Sequence, residues 1–276
     1  DREFRVISAL YPTGFPVARP YGLCTDESVI GTMFYVMEKV EGRILWDGSL
    51  PDLPPERRRA IYHAKIDTLA ALHNTDVAAV GLGDYGKPGN YFARQIDRWT
   101  KQYKASETEH VAAMEALIDW LPRTVPDDEA VSVVHGDYRL DNMILHPTED
   151  RVVAVLDWEL STLGSPLADF TYFLMNWVMP AEQRGGLAGR DLSDMGIPTQ
   201  EEAIARYCAA TGRQGLPQTD WYFAYNLFRL AAILQGIAGR IRDGTAASPQ
   251  AMAMAQRVVP LAEAARAFAR KAGLTG

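Results

Sequence analysis

Three observations predict an α+β fold: two strand signals lie close to the start of the chain, helical periods dominate from Pro54 onward, and one hairpin signal interrupts that helical part. Taken in order, Asp1 to Leu10 places Phe4, Ile7 and Leu10 on one face, which suggests the last turns of an amphipathic helix. Pro16 to Cys24 and Thr32 to Lys39 read as strands around the polar turn Thr25-Asp26-Glu27-Ser28, and the second runs into a polar, Gly-ended connector, Glu38 to Gly42. Pro54-Pro55-Glu56 is a helix start, with Tyr62, Ile66, Leu69 and His73 on one face. Phe92, Ile96, Trp99 and Tyr103 form a second helical stripe, read as core. Met114, Leu117, Ile118 and Leu121 form a third, stopped by Pro122. Asp127-Asp128-Glu129 reads as a solvated turn ahead of a strand from Val131 to Val134. Thr199 to Thr211, Asp220 to Asp243 and Pro249 to Ala272 are helical by period and Ala content.

Composition excludes several classes. The 276 residues carry 28 Lys and Arg against 35 Asp and Glu, a net charge of −7 with the cations dispersed, so nucleic acid is not an expected partner. Two cysteines, Cys24 and Cys208, form neither a metal-ligand spacing nor a disulfide framework, which points to a reducing cytoplasm. The most apolar window, Leu167 to Ala181, is too short for a membrane span and contains Asp169. No secretory signal precedes the fold, and neither internal repeats nor low-complexity tracts occur.

The chemistry concentrates between Val133 and Trp158, VVHGDYRLDNMILHPTEDRVVAVLDW. Met143-Ile144-Leu145 and Arg151 to Leu156 are apolar strands joined by the polar turn His146 to Asp150. An antiparallel hairpin sets the start of one strand beside the end of the other, so Asn142 and Asp157 become neighbours although far apart in sequence. An amide oxygen beside a carboxylate is a partial site for Mg²⁺, which takes oxygen ligands and completes its shell with water and phosphates. Asp137 lies on the loop entering the hairpin, in place to accept the proton of an attacking hydroxyl. His135-Gly136-Asp137, then Asn142, then Asp157 follow the order H-R-D-x-x-x-x-N and D-F-G of enzymes that move a phosphoryl group from ATP. His135 is read as a brace for the loop. A metallohydrolase built on His135, Asp137 and Asp157 is the rival reading, but the other histidines, 63, 73, 110 and 146, supply no ligand pair.

Gly136 in place of the kinase Arg, together with Leu156-Asp157-Trp158, resembles the aminoglycoside phosphotransferase and choline kinase-like family. The resemblance implies a protein-kinase-like two-lobed fold. Residues 1–41 would be the remainder of a nucleotide-binding lobe and its hinge, and residues 42–276 a helical lobe holding the catalytic loop and Mg-binding hairpin at 131–158. It implies ATP or GTP with Mg²⁺, Asp137 as the catalytic base, and Asn142 and Asp157 as metal and nucleotide ligands. Backbone groups near Glu38 and Val40 would meet the adenine. Glu3 would orient a lysine expected to precede Asp1, because the chain opens without Met and mid-helix. Gly164-Ser165-Pro166-Leu167-Ala168-Asp169 looks like the family's G-x-P-x-x-D, whose Asp braces the loop, and Ala71-Leu72-His73 looks like its helix end near that loop.

Tyr138-Arg139-Leu140-Asp141, and Gly89-Asn90-Tyr91-Phe92 followed by Gln95 and Trp99, are similar to the kinase-like domains fused to acyl-CoA dehydrogenases. The acceptor implied is a small hydroxylated molecule, a hydroxylated acyl-CoA or other metabolite rather than a classical aminoglycoside. The partners implied are an acyl-CoA dehydrogenase or a second copy of the chain, with no membrane involved. The aromatic segment Trp221 to Arg229 is the candidate acceptor helix. A catalytically silent binding or regulatory module in acyl-CoA metabolism is the alternative.

Overall fold

The computed structural model describes residues 1–87, 89–127, 130–181 and 185–275; the acidic turn at Asp128 and Glu129 lies outside them. In chain order the elements are α1 (Arg2–Leu10), β1 (Pro20–Cys24), β2 (Phe34–Met37), α2 (Pro55–His73), α3 (Tyr91–Ser106), α4 (Ala112–Trp120), β3 (Ser132–Val134), β4 (Met143–Leu145), β5 (Val152–Val155) and β6 (Thr162–Gly164). There follow α5 (Pro166–Val178), α6 (Leu192–Met195), α7 (Gln200–Thr211), α8 (Thr219–Arg242), α9 (Pro249–Ala255) and α10 (Val258–Lys271). The chain divides into two compact units, one of residues 1–87 and 130–216, the other of residues 88–129 and 217–276.

In the first unit, β1 and β2 pair antiparallel with Leu23 opposite Tyr35. Both strands are shorter than their apolar patterns suggest. Pro16 has no amide to donate, Val17 N–H turns back to Phe15 O, and the Pro16 carbonyl instead accepts from Val155 N–H at 2.8 Å, so this stretch props the hairpin rather than extending β1. α1 buries Val6, Ile7 and Leu10. α2 starts with Pro at its first position and packs on α7.

The linker after β2 joins the hairpin directly, as Arg43 and Leu145 exchange two backbone hydrogen bonds of 2.8 Å. A Cβ at Gly42 would lie 2.2 Å from the Leu145 carbonyl oxygen, so only glycine allows this approach. At the hairpin turn, Asp150 accepts from Arg57 Nη2 at 2.7 Å and Arg43 Nη2 at 3.2 Å, which ties the turn to α2 and the linker. β4 pairs with β5, Met143 opposite Val155, and β3 pairs with β6, a strand the sequence reading does not mark.

Lys65 on α2 is wholly buried in this unit. Its Nζ has no hydrogen-bond partner among the described residues and lies 4.8 Å from the ring centroids of both Tyr62 and Phe173. Burial pushes its ammonium down to about 7, against a smaller opposing pull from Asp141. The unfolded chain therefore holds the extra proton between about pH 7 and 10.5, and stability rises with pH across that window. Lys65→Met is expected to raise stability by roughly 2–4 kcal/mol at neutral pH and by much less above pH 10.5. Urea unfolding at the two pH values checks this, and equal stability of variant and wild type at neutral pH would refute it.

In the second unit, Phe92, Ile96, Trp99 and Tyr103 of α3 are buried, as their spacing predicts. Phe92 packs edge-on against Trp221 at 5.3 Å and Tyr225 at 5.0 Å, and Trp221 stacks on Tyr225 at 5.8 Å. This corrects the acceptor-helix reading, because Trp221 to Arg229 are all buried and their aromatic rings serve as core. The helical segment Pro249 to Ala272 breaks at Gln256 and Arg257. Pro260 can neither donate to the Gln256 carbonyl nor fit its ring against it, so α10 begins anew. Among the described residues no helix is long and apolar enough to cross a membrane.

Candidate active site

The loop after β3 is built around a buried carboxylate. Ser165 caps α5 by accepting from Leu167 N–H, and Asp169 in the first turn of α5 accepts from the backbone amides of His135 and Gly136, the latter at 2.8 Å. Burial alone would raise the Asp169 carboxyl. The neighbouring His73 and His135 and the Gly136 amide nevertheless hold it below the usual carboxylate range, and a helix N-terminus favours the same charge. His73 Nε2 stands 3.6 Å from Asp169 Oδ2, while its Nδ1 meets the Tyr207 hydroxyl at 2.7 Å.

Gly136 has φ +88, and a Cβ there would come within 2.9 Å of the Leu160 carbonyl oxygen. The residue that departs from the protein kinase pattern is therefore required by the backbone. His135 is fully buried. Its Nδ1 accepts from Asp137 N–H at 3.2 Å and its Nε2 donates to Leu156 O at 2.8 Å, which defines the neutral tautomer; burial pushes its pKa down in agreement. Both ring nitrogens are thus committed to backbone, and the metallohydrolase reading loses its only candidate imidazole. The bracing role read for His135 is what the geometry provides.

Asp137 is half-buried and held on both oxygens. Oδ1 accepts from the Tyr172 hydroxyl at 2.9 Å and stands 3.2 Å from Arg139 Nε, and Oδ2 accepts from Asn142 Nδ2 at 3.1 Å. Asn142 Nδ2 also donates to the Asp137 carbonyl at 2.9 Å, which turns the amide so that Oδ1 is left without a donor among the described residues. Leu156 N–H donates to the Asn142 carbonyl at 2.8 Å, so the hairpin closes with Asn142 beside Leu156 and Asp157 next along the chain. Asp157 has φ +66, a left-handed conformation of a kind Asp tolerates better than most residues. It is exposed, whereas Trp158 is buried against His135 with ring centroids 4.7 Å apart.

The outlying predicted residues take definite places. Glu3 Oε2 accepts from the Tyr35 hydroxyl at 3.0 Å. That hydroxyl is pushed up to about 12, by burial first, then by Glu3 and Asp157, which puts both carboxylates in its field. Glu38 N–H is committed to Arg19 O at 2.8 Å, whereas the Glu38 carbonyl and the Val40 backbone groups have no intramolecular partner among the described residues.

Sequence reasoning missed Tyr172 and Arg139 as contacts of Asp137, and Tyr35 as the contact of Glu3. Tyr172 stands three residues after Asp169 and therefore on the same face of α5, so G-x-P-x-x-D-x-x-Y was a usable signal.

A loop Asp oriented by three side chains, followed by an Asn and an Asp joined at a hairpin mouth, defines a protein-kinase-like phosphotransferase architecture. The chain belongs to the phosphotransferase enzyme family, whose model matches residues 1–222. It is 45% identical over 275 residues to acyl-CoA dehydrogenase family member 10 of Mus musculus, covering 99% of this chain and 26% of that protein. The chain thus spans about a quarter of that relative's length. A solved structure from Ralstonia eutropha, provisionally named an aminoglycoside phosphotransferase, is 53% identical with a TM-score of 0.95, covering 98% of this chain and 83% of that one. Aminoglycoside phosphotransferase APH(4)-Ia, solved with ADP and hygromycin B, shares the fold at a TM-score of 0.62 and 15% identity, covering 99% and 83% of the two chains.

Proposed function

We propose that this chain transfers the γ-phosphoryl group of ATP to a hydroxyl of a small molecule. The observation that carries this reading is the fastening of Asp137. Its loop is anchored through Asp169, and its carboxylate is oriented by Tyr172, Arg139 and Asn142, beside a hairpin mouth that leaves two oxygen ligands free. Asp137 takes the proton of the acceptor hydroxyl as that oxygen bonds to the γ-phosphorus, the bond to the β,γ-bridging oxygen breaks, and ADP leaves.

The residues present fit a divalent cation. Asn142 Oδ1 and the Asp157 carboxylate accept no hydrogen bond among the described residues, and one amide oxygen with one carboxylate suits Mg²⁺ shared with phosphates. When bound, such a cation neutralises charge on the transferring phosphates. Glu3, held by Tyr35, and the free backbone groups at Glu38 and Val40 suit the nucleotide's phosphate and adenine ends respectively.

For the acceptor, the relationship to acyl-CoA dehydrogenase family proteins favours a hydroxylated acyl-CoA. Association with an acyl-CoA dehydrogenase, or with a second copy, and a cytoplasmic setting belong to the same proposal. The test is incubation with ATP, Mg²⁺ and hydroxybutyryl-CoA, following ADP release and the phosphorylated ester by mass spectrometry. Product supports the reading, whereas nucleotide binding without turnover of any alcohol would favour the silent module. Asp157→Ala is expected to weaken Mg²⁺-dependent ATP binding at least about tenfold, since even losing a residue behind a metal ligand typically costs about 10–100-fold in metal affinity. Calorimetry with and without Mg²⁺ measures it, and an unchanged affinity would show that the hairpin mouth is not a metal site.

A further inference from the structure

We propose that Arg139 determines acceptor specificity, selecting alcohols that carry an acyl oxygen, of a carboxylate or a thioester, close to the reacting hydroxyl and rejecting cationic amino alcohols. This rests on the phosphotransfer reading above. A reacting hydroxyl must come within hydrogen-bond reach of Asp137, roughly 3 Å. Arg139 Nε is 3.2 Å from Asp137 Oδ1. The reacting hydroxyl oxygen therefore lies within about 6 Å of Arg139 Nε if it bonds Asp137 Oδ1 and within about 8 Å if it bonds Oδ2, with its carbon roughly one bond further, so the first atoms of any acceptor stand near this guanidinium.

Arg139 is oriented rather than loose. Nε faces Asp137, and Nη2 donates to Asp141 Oδ2 at 3.2 Å, so two carboxylates define the plane of the fork. Nη1 has no partner among the described residues, and the side chain is 43% exposed. A pair this exposed adds little to stability, about 0–1 kcal/mol, so stability alone does not account for a guanidinium at this place. A planar fork with a free N–H edge matches acyl oxygens and repels ammonium groups. Lys65 of α2, which feels the charge of Asp141, is buried and cannot serve an acceptor.

The test compares kcat/KM for four acceptors of one chain length: hydroxybutyrate, hydroxybutyryl-CoA, butanediol, which lacks the acyl oxygen, and aminobutanol. Wild type is expected to prefer the two acyl compounds over butanediol by about tenfold or more, and over aminobutanol by a larger factor. In Arg139→Gln the acyl-to-butanediol ratio is expected to fall to within about twofold, and Arg139→Lys to retain part of it. Any loss that Arg139 causes by misorienting Asp137 is common to all four acceptors and cancels in the ratio. An unchanged ratio in Arg139→Gln, or a wild type without the preference, overturns the assignment. Turnover of none of the four by wild type overturns this inference, and the phosphotransfer reading falls with it only if no other alcohol is phosphorylated.

Discussion

Asp137→Asn is expected to lower the rate of phosphoryl transfer by about 10²–10⁴-fold while ATP binding in Mg²⁺ stays within about twofold of wild type. The asparagine keeps the shape of the side chain and an oxygen that can still accept from Tyr172 or Asn142. It cannot take up a proton at neutral pH. The loss should therefore lie in kcat, with little change in the affinity for nucleotide, because Asn142 and Asp157 are untouched. Single-turnover measurements separate the two quantities. Full activity in this variant would remove Asp137 from the chemistry and leave its three oriented contacts without a catalytic purpose.

Asp169→Ala should be the most destabilising single change near the site. It strips the buried His135 and Gly136 amides of their acceptor, at roughly 1–3 kcal/mol per orphaned donor. A total of roughly 2–6 kcal/mol is expected, one such cost for each of the two amides. Catalysis should fall as well, since Asp137 follows directly on the anchored loop. The pH dependence has a definite sign. The folded carboxyl is held below its unfolded value, so its stabilisation is complete above about pH 4, the unfolded value, and is lost as pH falls through the folded one. The gap between wild type and Asp169→Ala should accordingly narrow in acid. Denaturant titrations at neutral and acid pH measure it, and a gap independent of pH would show that the carboxylate charge is not what holds the loop.

The hairpin and the candidate residues around it were legible in the sequence because their spacing is local. Two short apolar strands around a polar turn can pair in essentially one way, and Asn142 and Asp157 then meet at the open end. The helical stripes of α2 and α3 were legible for the same reason, since one turn separates their members. Strand limits were less so. The Pro16 segment looks like part of β1 until its carbonyl is found on Val155, a partner in another element. Trp221 to Arg229 looked like a ligand-facing surface, because aromatic composition is the same in a cleft and in a core, and only Phe92 packed against it decides between them.

By itself, then, the sequence determined the family of the chain and the placing of its candidate residues, since short-range geometry sets Asp137, Asn142 and Asp157 around one hairpin. The tertiary structure alone decided what holds them. Tyr172 reaches Asp137 from α5, Asp169 anchors the loop from the same helix, Tyr35 holds Glu3, and Lys65 is buried against Tyr62 and Phe173 with no hydrogen-bond partner among the described residues. These contacts join residues tens of positions apart, and no periodicity in the chain encodes which long-range partner a side chain will meet. That choice is made by the packing of whole elements, where burial and hydrogen-bond satisfaction of many groups are settled together.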